Sequence, residues 1–164
     1  MANKTTITAA PNKQELFITR EFDAPRELVF KAFTTPEILL QFYAPYGIKM
    51  KFNYADFRSG GSYSWTHSDG AGKIYCTFKG VIHEILPPER MTQTVEMEDQ
   101  PKAGNVILEI FDFEEIDNNK TKLIIQDVFR SIEDRDEMVQ SGFEGGVVAI
   151  FEQLDELLIE GKIK

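Results

Sequence analysis

The chain has 164 residues, 42% hydrophobic and 27% charged, a globular composition at a length that buries a core without a disulfide or metal staple. Asp and Glu number 27 against 18 Lys and Arg, a formal net charge of −9, and a surface of that sign repels a phosphate backbone, which argues against a nucleic-acid partner. No apolar run approaches the ~20 residues of a membrane span, and the segment before Gln14 holds no signal-peptide core, so the expectation is a cytoplasmic protein that does not insert into membranes.

Residues 1–13 are polar, Thr-rich and contain Pro11, the composition of a flexible N-terminal arm; a single domain is expected over residues 14–164. From Glu15 the pattern alternates. Leu16, Ile18 and Phe22 share one face and Thr19 and Glu21 the other, the period of a half-buried strand. Asp23-Ala24-Pro25 ends it and opens a short helix with Leu28, Val29, Ala32 and Phe33 at helical spacing. Thr35-Pro36 starts a second one, with Ile38, Leu39, Phe42 and Tyr43 as its apolar stripe.

Six further strand-like runs follow, at residues 49–57, 62–67, 73–85, 91–97, 106–115 and 121–130. Ser59-Gly60-Gly61, Ser68-Asp69-Gly70, Pro87-Pro88, Gln100-Pro101 with Gly104, and Asp117-Asn118-Asn119 separate them with turn chemistry. No crossover helix interrupts the series, so the strands are expected to pair in order as an antiparallel meander. The last segment, residues 132–160, reads as one long helix carrying Phe143, Val147, Ile150, Phe151, Leu154, Leu157 and Leu158 on one stripe and stopped by Gly161. Gly142, Gly145 and Gly146 weaken its first half, which calls for a reason such as close packing or a ligand.

Several segments carry a resemblance to a known family. REFDAPRELVFKAFTTPEILLQFYAP (20–45), DFRSGGSYSW (56–65), GVIHEILPPERMTQT (80–94) and SGFEGGVVAIFEQLDELL (141–158) occur in that order. Together they resemble the activator of heat shock protein 90 ATPase homologue family in its stand-alone bacterial form, within the START-like (SRPBCC) superfamily. The resemblance implies an α+β helix-grip fold of the birch-pollen-allergen type: a curved antiparallel sheet of six or seven strands around a long C-terminal helix, with two short helices after the first strand. It also implies an apolar cavity between sheet and helix. Members often carry Trp or Met after the second glycine of the last-helix motif, whereas Val147 follows Gly146 here, which reshapes the cavity.

Few side chains offer chemistry. His67 and His83 lie on different strands without zinc-motif spacing, so no metal and no cofactor are expected, and each reads as a surface or strand-end histidine. Cys76, the single cysteine, reads as a structural thiol. Tyr63, Trp65 and His67 share a face, where the first two form either an aromatic wall or plain core. Tyr75 and Thr77 oppose Ile74, Cys76 and Phe78, and either phase can face inward. On the strand at 106–115 one carboxylate must point in, Glu109 with Phe111 and Phe113, or Asp112 with Leu108 and Ile110. Asp127 shares a phase with Leu123, Ile125 and Phe129, and serves either a ligand or an ion pair with Arg58 or another cation.

The cavity-lining candidates are therefore Tyr63, Trp65, Tyr75, Phe111, Asp127, Phe143, Val147 and Ile150. The expected function is binding of a small hydrophobic or amphipathic molecule. Two alternatives stand beside it: a co-chaperone-like module contacting a heat shock protein 90 type ATPase or another protein, and a cofactor-free cavity enzyme. The sequence leaves the oligomeric state open.

Overall fold

The computed structural model describes residues 3–98 and 103–164, and the Gln100-Pro101 turn lies outside them. Its elements are β1 (Thr6–Thr8), β2 (Glu15–Phe22), α1 (Arg26–Thr34), α2 (Pro36–Phe42), β3 (Lys49–Ala55), β4 (Ser62–Ser68), β5 (Ile74–Leu86), β6 (Arg90–Met97), β7 (Ile107–Asp117), β8 (Lys120–Val128), α3 (Ile132–Gln140) and α4 (Glu144–Ile159).

The strands form one antiparallel sheet in the order β1-β2-β8-β7-β6-β5-β4-β3. β3 to β8 pair with their sequence neighbours because the loops between them are short and rich in turn-forming residues. Asp69 Oδ1 accepts from the Ala71 and Lys73 amides at 2.7 and 3.1 Å, and Asp117 Oδ1 from the Asn119 amide at 2.8 Å. β2 closes on the far side of β8, with Leu16 opposite Asp127 and Ile18 opposite Ile125.

Two expectations need correction. The sheet has eight strands instead of six or seven, because the segment read as a flexible arm supplies β1, which pairs Thr6–Thr8 with β2. Buried Arg20 fixes it by donating to Thr5 Oγ1 at 2.9 Å and pairing with Asp155 of α4, while Arg135 of α3 donates to the Ala10 carbonyl at 2.7 Å. The second correction is the final helix, which is two. α3 starts at Ser131, whose Oγ accepts from the Asp134 amide at 3.0 Å, and stops at Ser141. Gly142 follows with φ +80, a left-handed conformation that glycine adopts without penalty and that ends a right-handed helix. α4 has 16 residues and so spans about 24 Å, against the ~40 Å of an unbroken helix.

Much of the aromatic load packs at the α1 end of the core. Phe33 of α1 lies at its centre, with Phe42 at 5.5 Å, Phe113 at 5.8 Å, Phe111 at 5.9 Å and Phe151 of α4 at 6.4 Å, centroid to centroid. Leu154 and Leu157 complete that end. A second cluster holds Tyr63, Trp65 and Ile82. Among the described residues no helix is long and apolar enough to cross a membrane.

Candidate functional site

α4 tapers. Its C-terminal half presents Phe151, Leu154 and Leu157 to the core, whereas its first half reads Gly145, Gly146, Val147, Val148, Ala149. Small side chains opposite a curved sheet cannot fill the space, and a cavity of about 420 Å³ results. Phe143, Val147 and Ile150 form its helix wall. Phe78, Val95, Met97 and Ile107 line it from β5, β6 and β7, and Ile18 and Ile125 from β2 and β8.

Across this apolar surface runs one polar row. Gln93, Glu109 and Asp127 lie directly opposite one another on β6, β7 and β8. Gln93 Nε2 donates to Glu109 Oε1 at 2.9 Å, and the Glu109 and Asp127 carboxyls hydrogen-bond each other. Two carboxyl oxygens can do that only if one carries a proton. Burial is the main cause that raises the pKa of Asp127, followed by the charge of Glu109 and its hydrogen bond to that neighbour. For Glu109, burial raises the pKa while hydrogen bonds from Asp127 and Gln93 oppose the rise. Asp127 is thus the acid of the pair and Glu109 the acceptor. Asp127 is 8% exposed, and its Oδ1 atom has no hydrogen-bond partner.

The neighbouring groups are aromatic. Trp65 Nε1 and His67 Nε2 are also buried without a partner, and both residues line the cavity. The His67 imidazole donates to the Tyr43 carbonyl, which opposes but does not cancel the lowering of its pKa by burial. Its Nε2 therefore presents a lone pair. The Tyr43 phenol is held protonated, first by burial and then by the charges of Glu109 and Asp127. Among the described residues the cavity wall includes no Lys or Arg, and no group of three or more His, Cys, Asp or Glu could hold a metal.

Of the residues singled out from sequence, Trp65, Asp127, Phe143, Val147 and Ile150 stand on the cavity wall. Three do not. Tyr63 is fully buried behind Trp65, stacked on it at 5.1 Å, and its Oη donates to the Thr94 carbonyl at 2.6 Å. That bond needs Gly80 opposite, where a Cβ would stand 1.8 Å from the Thr94 carbonyl oxygen and 2.5 Å from Tyr63 Oη. Tyr75 is 50% exposed, under Lys73 Nζ at 5.1 Å, because Phe78 takes the inward phase of β5 against Trp65. Phe111 belongs to the core around Phe33 and touches only a recess of about 10 Å³. Arg58 pairs with Asp56 at 2.9 Å in the β3–β4 turn, so it is not the partner of Asp127. His67, read as a surface residue, is on the wall; the phase it shares with Trp65 was the signal that places it there. Glu109 and not Asp112 points in, since β7 aligns it with Asp127.

Known proteins agree with this architecture. Protein Ms6760 from Mycobacterium smegmatis superimposes with a TM-score of 0.81 at 21% identity, covering 94% of this chain and 97% of that one. A protein from Arthrobacter aurescens gives 0.83 at 21% identity, covering 94% and 91%, and one from Rhodobacter sphaeroides 0.83 at 20%, covering 94% and 99%. These likenesses show the START-like helix-grip fold. A search of curated proteins finds no match. The profile of the family described as Activator of Hsp90 ATPase homolog 1-like protein matches residues 23–159, and the chain belongs to that family.

Proposed function

We propose that this protein binds a small amphipathic molecule in the cavity between the sheet and the first half of α4. The observation that carries this reading is the composition of the cavity: an apolar pocket of about 420 Å³, within the ~300–1,000 Å³ usual for small-molecule sites, interrupted by the carboxyl residues Glu109 and Asp127. Carboxyls on an otherwise apolar wall are what a ligand's polar end would pair with. Trp65, Asp127, Phe143, Val147 and Ile150 are the proposed contacts, with Tyr43, His67 and Glu109 beside them. A protein-interaction module does not need this internal volume, which favours the small-molecule reading over the co-chaperone one.

Native mass spectrometry of the purified protein, followed by denaturing extraction, tests the proposal. A stoichiometric small-molecule adduct that Val147→Phe displaces is the expected result. Absence of an adduct, together with no thermal shift across a panel of lipids and aromatic compounds, would sink it.

A further inference from the structure

Two carboxyls reach the cavity, and among the described residues that line it there is no Lys or Arg. Glu109 and Asp127 face it from β7 and β8, His67 from β4, and Tyr43 from the segment after α2; α4 contributes only apolar residues and Gly146, and α3 contributes Met138. The two buried arginines are engaged elsewhere, Arg20 with Asp155 and Arg135 with Asp136. Once one of the two carboxyls ionises, the pair carries a negative charge at an apolar cavity whose wall, among the described residues, holds no Lys or Arg.

We infer that the ligand is an amphipathic amine, whose ammonium group sits against Glu109 and Asp127 while its hydrocarbon body lies along Phe143, Val147 and Ile150. The inference rests on the cavity reading above and names the ligand class. An alcohol also donates a hydrogen bond but leaves the charge of the pair unneutralised, and a carboxylate adds a second negative charge. An ammonium group supplies donors for the carboxyl pair and a positive charge against it, and charge-assisted hydrogen bonds are the stronger kind. Against the singly protonated pair the ammonium balances one negative charge, so affinity rises with pH as the pair gives up its first proton while the amine itself stays charged. His67 adds no competing charge, because burial keeps its imidazole neutral.

The test uses octylamine, octanol and octanoic acid, which share one apolar body. The fluorescence of Trp65, the single tryptophan, reports on the cavity wall. Octylamine is expected to bind about tenfold or more tightly than octanol, and octanoate weakest. In Glu109→Gln/Asp127→Asn the preference for octylamine over octanol should vanish. Should the double variant not fold, lowering the pH of the wild-type protein to 5 provides the same comparison, since protonating the pair should shrink the amine preference. Loss of the preference in high salt, or its persistence in the variant, would assign it to the acidic surface and overturn the inference. Octanol or octanoate binding as tightly as octylamine also overturns it but leaves the cavity reading standing. No response to any of the three overturns the cavity reading itself.

Discussion

Removing the buried carboxyls should stabilise this protein, and by an amount that grows with pH. In the unfolded chain Asp127 and Glu109 titrate near pH 4, at about 3.9 and 4.3. In the folded protein burial raises both pKa values, Asp127 most strongly because Glu109 adds to the rise. Below pH 4 both states hold their protons and the pair does not affect stability through pH. Above it the unfolded chain releases protons that the native state retains, so stability falls as pH rises, until the folded pair ionises. The slope is about 1.4 kcal/mol per pH unit for each proton so retained, or roughly 3–6 °C in Tm for a chain of this size. Glu109→Gln/Asp127→Asn keeps the shape and removes the titration. Asp155, whose pKa is also raised, chiefly by burial, contributes equally to both proteins and cancels in the difference. Thermal melts of both proteins at half-unit intervals from pH 4 should therefore diverge, with the variant increasingly more stable. Parallel curves between pH 4 and 7 would refute the assignment of a shared, buried proton.

Val147→Phe should fill part of the cavity, lowering ligand affinity by at least about tenfold with the melting temperature unchanged or raised, as titration calorimetry and thermal melts would show. Asp155→Ala leaves the Arg20 guanidinium, whose side chain is 3% exposed, without its counter-ion and should cost about 3 kcal/mol in denaturant unfolding. Gly80→Ala drives a Cβ into the Thr94 carbonyl and Tyr63 Oη and should destabilise by about 1–3 kcal/mol. Gly142→Ala forces a left-handed residue between α3 and α4, at about 1–2 kcal/mol, and circular dichroism should show the helices otherwise kept.

The strands were legible because each repeats with period two and each break has turn chemistry; the resemblance of four ordered segments supplied the way they close. Where one strand meets the next was not legible. Whether Glu109 or Asp112 points in depends on a one-residue register, and the pairing of Glu109 with Asp127 follows from two such registers at once. Tyr75 was misplaced for the same reason. The helix break at Gly142 was hidden because apolar spacing continues across it, and only the sign of φ at one glycine separates the two helices. β1 was missed because three residues, Thr6–Thr8, are too few to show a period.

The carboxyl pair is the place where levels of organisation that otherwise agree come apart. Hydrophobic patterning, turn residues and the α1 aromatic cluster all favour the same fold, as expected of a sequence that specifies one structure. Glu109 and Asp127 instead interrupt the apolar phases of β7 and β8 and weaken the native state at neutral pH. Neither anchors an element, since the pair bonds only within the sheet, to Gln93 and to each other, and the backbone ladder already holds those strands. A structural role for the pair would lead one to expect a cation or a full set of donors around it, as Arg20 provides for Asp155. What borders it instead is a cavity whose wall, among the described residues, holds no Lys or Arg. The destabilising charge and the empty volume therefore have a common explanation in a bound, positively charged molecule, which would offset the one and occupy the other.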